Sequence, residues 1–141
     1  MKIVFRLSVL LLLISCDHGD KSYGKYNLIN NSNYSIVIKS FNLSDKGLQK
    51  TIMLNKNETW ESEKFEVSEP AGRLLSPEYF LEGDSIRIEF DDEKVLTYLG
   101  SYDSRNVLYE QNYLTEKIDD KMTVIKFIFV DDDYENADII M

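Results

Sequence analysis

Carboxylates make up most of the side chains in this sequence that could do chemistry. The chain has 25 acidic residues but a single histidine, His18, and a single cysteine, Cys16. A serine or cysteine nucleophile needs a base within hydrogen-bonding reach, and a zinc site built from histidine and cysteine needs three or four such ligands. Both residues lie near the N-terminus, two positions apart. We therefore expect neither kind of site unless another chain supplies partners.

Paired carboxylates are the remaining catalytic chemistry, because glycosidases place two of them across a cleft. The candidates by residue type are Glu61, Glu63, Asp91, Asp92 and Glu93. The first two share the outer face of a predicted strand, and the other three form the tip of a predicted hairpin. Carboxylates in such positions are normally solvated. We therefore predict no catalytic residues and no enzyme activity.

The densest acidic cluster is formed by Asp131, Asp132 and Asp133, followed by Tyr134 and Glu135. Ca²⁺ takes several such oxygen ligands, but the cluster is not an EF-hand loop, since its sixth position is not glycine and its twelfth lies beyond the last residue. Acidic residues also suit the start of a helix, with Asp132 and Glu135 spaced as a capping box. We favour the helix start and predict no metal or cofactor. A calcium site at the three aspartates is the alternative.

Four aromatic residues could form a binding platform: Trp60, Tyr79, Tyr102 and Tyr109. Exposed rings of this kind would bind a glycan or a protein, whereas buried ones would simply pack in the core, which is the more common outcome. Four asparagines stand in N-x-[ST] sequons, namely Asn30, Asn33, Asn42 and Asn57. We interpret them as turn residues, because asparagine tolerates left-handed backbone angles and bonds locally to the backbone.

The first sixteen residues have the features of an export signal. Lys2 and Arg6 give a short positive region, and residues 7–14 form an apolar run interrupted only by Ser8. A membrane-spanning helix needs roughly 20 apolar residues. This run is too short to span a membrane, but it fits the apolar region of a secretory signal peptide.

Leu13, Ile14, Ser15 and Cys16 follow that run, and together they resemble the lipobox of bacterial lipoproteins. The resemblance implies that the chain is cut before Cys16 and that the Cys16 thiol carries a diacylglyceryl group. It places the protein in the bacterial cell envelope, anchored at the outer membrane, with its periplasmic or surface exposure undecided. An ordinary cleaved signal peptide followed by a stray cysteine is the alternative. No disulfide framework is available with one cysteine.

After cleavage the chain would contain 126 residues, which suits one domain. We predict a signal peptide over residues 1–15, a flexible tether over 16–25 and a folded domain over 26–141. Loss of Lys2 and Arg6 leaves 14 basic and 25 acidic residues, a net charge of −11. That charge argues against nucleic acid and anionic membrane surfaces as partners.

Short alternating segments separated by turn residues predict an all-β fold. Strands are indicated at 26–29, 34–41, 48–54, 59–67, 85–90, 94–99 and 122–130, the last central, with residues 107–118 ambiguous. The five-residue spacing of Trp60 and Phe65 breaks strict alternation and predicts a bulge. We predict a single antiparallel β-sandwich, with a long loop or one short helical turn around Pro77 and a short helical turn at the C-terminus. An open β-barrel is the alternative.

The body of the chain also has a family resemblance. The hairpin of residues 85–98 and the later pattern of Asp133, Tyr134 and Ala137 resemble small uncharacterised envelope lipoproteins of Bacteroidetes-type bacteria. That resemblance implies an immunoglobulin-like or related sandwich and supplies no catalytic residues. The sequence therefore favours a non-catalytic binding or interaction module with a protein or glycan partner. A structural accessory subunit of an envelope assembly and a small carboxylate-based hydrolase are the alternatives.

Overall fold

Two five-stranded sheets packed against each other form the structure, a computed structural model that describes residues 21–44, 46–67, 76–99 and 105–141. The predicted all-β sandwich is confirmed, and the sheets do not close into a barrel. The elements are β1 (Ser22–Asn30), β2 (Ile36–Phe41), β3 (Leu48–Leu54), β4 (Thr59–Glu61), β5 (Phe65–Val67), α1 (Pro77–Leu81), β6 (Ser85–Phe90), β7 (Lys94–Tyr98), a 3₁₀ turn (Glu110–Asn112), β8 (Leu114–Asp119), β9 (Met122–Phe129), α2 (Asp131–Glu135) and β10 (Asp138–Ile139).

Sheet 1 has the order β4-β1-β9-β8. Strand β5 pairs with the first residues of β1, on the same edge on which β4 pairs with its last residues. The predicted central position of β9 is confirmed. The β1–β9 pair is parallel, from Tyr23 opposite Met122 to Asn30 opposite Phe129, whereas the prediction was antiparallel throughout. Parallel strands need a long connection, and β1 and β9 are far apart along the chain. No local turn in the sequence could have signalled their pairing.

Sheet 2 has the order β10-β7-β6-β2-β3 and is antiparallel throughout. The predicted hairpin of β6 and β7 is confirmed. Its turn places Asp91 and Asp92 at φ angles of 48° and 58°, in the left-handed region that aspartate tolerates better than most residues. Alternate residues of this sheet point inward, so that Ile86, Ile88 and Phe90 are fully buried.

The core lies between the two sheets. Sheet 1 contributes alternate residues of β1 and β9, and sheet 2 contributes those of β2, β3 and β6. The largest fully buried side chains are Tyr26, Leu28, Ile36, Ile38, Leu54, Leu81, Ile86, Ile88, Phe90, Ile125, Phe127 and Phe129. Burial of each such side chain stabilises the fold by about 1.5–3 kcal/mol, which is how the domain holds together without a disulfide.

The sandwich has two distinct ends. At the far end, where β1 finishes, the Asn30 side-chain amide donates to the Leu54 carbonyl at the end of β3 (3.1 Å). At the tether end, where β1 begins, the Tyr23 amide donates to the Lys121 carbonyl in the β8–β9 turn (2.7 Å). The expected tether over residues 16–25 is too long, because residues 22–25 already belong to β1.

Cys16 and His18 lie outside the described residues. None of the helices in the described ranges has the length and apolarity needed to cross a bilayer. The ambiguous segment over 107–118 divides into the 3₁₀ turn and β8.

Candidate functional site

A cleft of about 950 Å³ opens where the edge strands of the two sheets lie side by side. Strand β3 of sheet 2 forms one wall, β4 and β5 of sheet 1 form another, and α1 closes the space between them. We call this the aromatic cleft, because Trp60, Phe65, Tyr79 and Phe80 line it together with Lys50 and several glutamates.

The predicted bulge shapes the cleft and is confirmed. Glu61 lies opposite Asn27 and Phe65 lies opposite Gly24, so three residues on the edge face two on β1. The extra residue resets the alternation, and Trp60 and Phe65 therefore share the inner face despite their odd spacing. The Ser62 hydroxyl fixes the bulge by accepting a hydrogen bond from the Tyr26 amide (2.9 Å).

Four rings then stack from the cleft into the core. Ring centroids are 5.7 Å apart for Trp60 and Phe80, 4.4 Å for Phe80 and Tyr26, and 5.5 Å for Tyr26 and Phe65. The successive planes are inclined by only 25–27°. Tyr26 is fully buried, while Trp60 and Phe65 are half-buried. The core thus holds the cleft rings in fixed orientations while part of each ring remains accessible.

Gly24 makes room for this stack. A Cβ added at Gly24 would lie 2.6 Å from the Phe65 ring, well inside van der Waals contact. The glycine therefore allows Phe65 to lie flat against β1, directly beside Tyr26.

Lys50 joins the two walls of the cleft. Its ammonium group donates to the Phe80 carbonyl (2.9 Å) and bonds the Glu82 carboxylate (2.6 Å). The same nitrogen lies 5.3 Å from the centroid of the Trp60 ring, within the range of a cation–π interaction. Lys50 thus fixes the end of α1 relative to β3 and Trp60.

The rim of the cleft alternates carboxylates with lysines. Besides Lys50 and Glu82, ion pairs form between Lys25 and Glu61 (2.7 Å) and between Lys21 and Glu66 (2.8 Å). The hydrogen bond from Lys25 is the main cause that lowers the pKa of Glu61 below its ordinary value. A glycosidase acid needs the opposite shift. The Lys25 pair therefore favours the charged form of Glu61, and the ion pairs of the rim offer both donors and acceptors.

The predicted carboxylate candidates divide between two places. Glu61 and Glu63 line the aromatic cleft. The other three lie at the far end: Asp91 accepts a hydrogen bond from the Ser35 amide (2.8 Å), and Glu93 accepts one from the Tyr134 hydroxyl (3.1 Å), while Asp92 is exposed. The structure does not bring the two groups together.

The three C-terminal aspartates point to different partners. Asp131 accepts from the backbone and side-chain nitrogens of Asn33 (both 2.7 Å), Asp133 is buried against Arg105 (2.9 Å), and Asp132 is exposed. Among the described residues, no three His, Cys, Asp or Glu side chains are grouped so that they could hold a metal ion.

The helix start predicted for this segment is confirmed as α2, but the predicted cap is wrong. The helix begins at Asp131, with Val130 as its N-cap, so the third helical position is Asp133. Its carboxylate accepts the Val130 amide hydrogen bond (2.9 Å). The predicted capping box, with Asp132 as the N-cap and Glu135 as its partner, therefore lies two positions too late.

The aromatic candidates have mixed outcomes. Trp60 and Tyr79 lie in the cleft, and Tyr79 is 70% exposed. Tyr109 is half-buried beside the 3₁₀ turn, and Tyr102 lies outside the described residues. Sequence reasoning missed Lys50, although a signal existed: it is the one charged residue on the side of β3 that it shares with Leu48, Ile52 and Leu54.

Comparison with known proteins gave no match: no protein-family model, curated protein or solved structure matches this chain. The functional assignment therefore rests on the geometry of the cleft and on the sequence patterns.

Proposed function

We propose that this protein is a bacterial envelope lipoprotein, anchored through Cys16, whose domain binds a glycan in the aromatic cleft without changing it chemically. The observation that carries the proposal is the combination of fixed, half-accessible rings with a rim of paired lysines and carboxylates. The lipobox pattern at Leu13–Cys16 supports the anchor.

The composition of the rim favours a sugar over a cationic peptide. Each sugar hydroxyl is both a donor and an acceptor, so it can bond a carboxylate and a neighbouring ammonium group at the same time. A cationic ligand would instead have to compete with lysines that already hold Glu61, Glu66 and Glu82. The apolar faces of sugar rings would pack on Trp60 and Tyr79.

The charge of the cleft further selects among glycans. Four glutamates and two lysines line it, namely Glu61, Glu63, Glu66 and Glu82 with Lys50 and Lys64. Lys21 and Lys25 on the rim pair with Glu66 and Glu61, so four lysines balance the four glutamates and neither sign of ligand charge is favoured. We therefore expect a neutral glycan, and we expect no nucleic acid as a partner.

A non-catalytic role is favoured by the state of the carboxylates. Glu61, one of the two candidate acids in the cleft, has its pKa lowered by Lys25. A carboxylate-based hydrolase is the second candidate, since the cleft holds both Glu61 and Glu63. Titration of Glu61 separates the two, because a hydrolase acid needs a raised pKa and a binding site does not.

Binding is tested with the purified, detergent-solubilised lipoprotein on a glycan array, followed by calorimetry with any glycan that binds. We expect Trp60→Ala to weaken binding about tenfold or more, the effect of losing roughly 1.4 kcal/mol at a central aromatic contact. Tyr79→Ala should weaken it several-fold without affecting the fold, because Tyr79 is an exposed surface residue.

Met53→Ala is the matched control, since Met53 is 72% exposed, close to the 70% of Tyr79, and lies outside the cleft. Glycan binding that is unchanged in both Trp60→Ala and Tyr79→Ala, or that falls equally in Met53→Ala, would refute the cleft as the site. Absence of any glycan binding would refute the proposed ligand.

The anchor is tested separately by mass spectrometry of the mature N-terminus. We expect the wild-type chain to begin at Cys16 with a diacylglyceryl group and to fractionate with membranes, and Cys16→Ala to lose both properties. Protease treatment of intact cells then decides between surface and periplasmic exposure. An unmodified Cys16 in the wild-type protein would contradict the anchor.

A further inference from the structure

Half of the ten exposed large hydrophobic residues in the described part of the chain lie at the tether end of the sandwich. These five have 38–59% of their surface exposed: Tyr23, Leu43, Leu48, Leu99 and Ile118. The other five include Ile139 and Met141 at the far end, so exposure alone does not decide which end meets a membrane. The length of the chain before β1 and the distribution of charge do.

Five separate segments supply these side chains. Tyr23 lies at the start of β1 and Ile118 just before the β8–β9 turn, and the Tyr23 amide contacts Lys121 of that turn. In sheet 2, Leu43 and Leu48 flank the β2–β3 turn, and Leu99 follows β7.

The sheet pairings place these sheet 2 residues opposite the far end. Leu48 pairs with Phe41, and Phe41 pairs with Ser85, at one end of β3, β2 and β6. The other ends of these strands are formed by Leu54, Ile36 and Phe90, which lie at the far end. The far end is fixed independently, because Tyr134 after β9 stacks on Tyr34 before β2 (3.6 Å). The five apolar residues therefore share one end of the domain.

The covalent chain ties this same end to the proposed anchor. Only five residues lie between Cys16 and Ser22, and the six Cα–Cα steps that join them span at most about 20 Å when fully extended. Strand β1 has nine residues and is about 30 Å long. An inverted domain would need a tether as long as β1, so the far end cannot rest on the bilayer that holds Cys16.

The charges of the two ends agree with this orientation. Six exposed acidic residues lie at the far end: Asp91, Asp92, Glu93, Asp131, Asp132 and Glu135. At the tether end, four exposed lysines offset the acidic groups around them: Lys21, Lys46, Lys117 and Lys121. Phosphate headgroups would repel the far end much more strongly than the tether end.

We propose that the tether end rests on the lipid bilayer, with Tyr23, Leu43, Leu48, Leu99 and Ile118 immersed in the headgroup region. The inference rests on the proposed lipid anchor at Cys16. Tyrosine is favoured at membrane interfaces because its ring is apolar and its hydroxyl is polar. In this orientation the acidic far end points away from the lipid.

Site-specific quenching tests the proposal in the full lipidated protein. Single cysteines are introduced as Leu43→Cys, Leu99→Cys and Ile139→Cys, labelled with an environment-sensitive dye, and reconstituted in vesicles of phosphatidylethanolamine and phosphatidylglycerol. A fraction of the lipid carries a nitroxide near the headgroup. Ile139 is the control, since it is an exposed hydrophobic residue paired with Lys94, at the far end.

We expect quenching at positions 43 and 99 to exceed that at position 139 several-fold. Equal quenching at all three positions, or the strongest quenching at position 139, would overturn the proposed orientation. Flotation of the labelled protein with the vesicles is read in parallel. Protein that floats without quenching at positions 43 and 99 refutes this inference and leaves the anchor standing, whereas protein that does not float refutes both.

Discussion

The far end of the sandwich and the aromatic cleft are both rich in aromatic and polar side chains, yet they use them differently. At the far end, the buried polar side chains of Asn30 and Ser32 bond to backbone groups. At the cleft, charged side chains bond to one another at the surface, and rings remain partly open. The hydrogen bonds to buried backbone groups stabilise the fold, whereas the ion pairs at the surface can be exchanged for bonds to a ligand. Polar and aromatic density alone therefore does not identify a site.

Asn30 shows most clearly what the far end does. The side chain is fully buried, and its amide nitrogen donates to the carbonyls of Tyr34 (2.8 Å), Leu54 (3.1 Å) and Asn55 (3.1 Å). Its oxygen accepts from the amide (3.0 Å) and hydroxyl (2.7 Å) of Ser32. One residue thus joins the end of β1 to the start of β2 and to the β3–β4 turn.

The largest effect is expected for Asn30→Ala, which should destabilise the domain by about 3 kcal/mol because it leaves several buried carbonyls without donors. Denaturant unfolding monitored by tryptophan fluorescence measures the change. Asn33→Ala is the control, since Asn33 is exposed and bonds Asp131 at the surface, and it should cost about 1 kcal/mol or less. Equal losses in the two variants would contradict the contrast between buried and surface asparagines.

Asp133→Ala should cost about 2 kcal/mol, because it removes the cap of α2 and the partner of Arg105. The value lies below that of a fully buried pair, since the Arg105 side chain is 43% exposed. Asp132→Ala replaces an adjacent, exposed aspartate and should change the free energy of unfolding little. A larger loss in Asp132→Ala than in Asp133→Ala would contradict the assigned cap.

The same three aspartates give a calcium test. Their side chains contact different partners, so we expect the same thermal midpoint in EDTA and in millimolar Ca²⁺. A midpoint that rises with Ca²⁺ and no longer does so in Asp131→Asn would establish the alternative calcium site.

Local patterns in the sequence predicted much of the fold. Alternation placed β3 and β6, a nearly all-apolar run placed β9, the spacing of Trp60 and Phe65 predicted the bulge, and the acidic run predicted α2. These features depend on neighbours within a few positions. The sequence also named Trp60, Tyr79, Glu61 and Glu63, four residues that line the cleft.

What the sequence missed depends on contacts between distant segments. The parallel pairing of β1 with β9 has no local turn to announce it. Lys50 gains its role only because α1 places the Phe80 carbonyl and Glu82 beside it. Gly24 was assigned to the tether, and its function becomes visible only when Phe65 is found packed against it.

Gly24→Ala tests whether the cleft adapts where the far end does not. The new methyl group would clash with the end of the Phe65 ring, which can swing towards the open cleft. We therefore expect a loss of only about 1 kcal/mol in unfolding free energy, at the lower end of overpacking effects, together with weaker glycan binding. A loss as large as that of Asn30→Ala would show that the cleft wall is as rigid as the far end.

The smallest effect on stability is expected from the titration of Glu61, which also gives the clearest test of function. The Lys25 hydrogen bond lowers the pKa of Glu61 below its ordinary value of 4.5. The ion pair therefore contributes stability above that pH, and the contribution is lost as the pH falls through the folded-state pKa. Carboxyl NMR should give a midpoint below 4.5 in the wild type, and one closer to 4.5 in Lys25→Gln. A midpoint above 4.5 would instead mark Glu61 as a proton donor, and the cleft would then be better explained as the active site of a hydrolase.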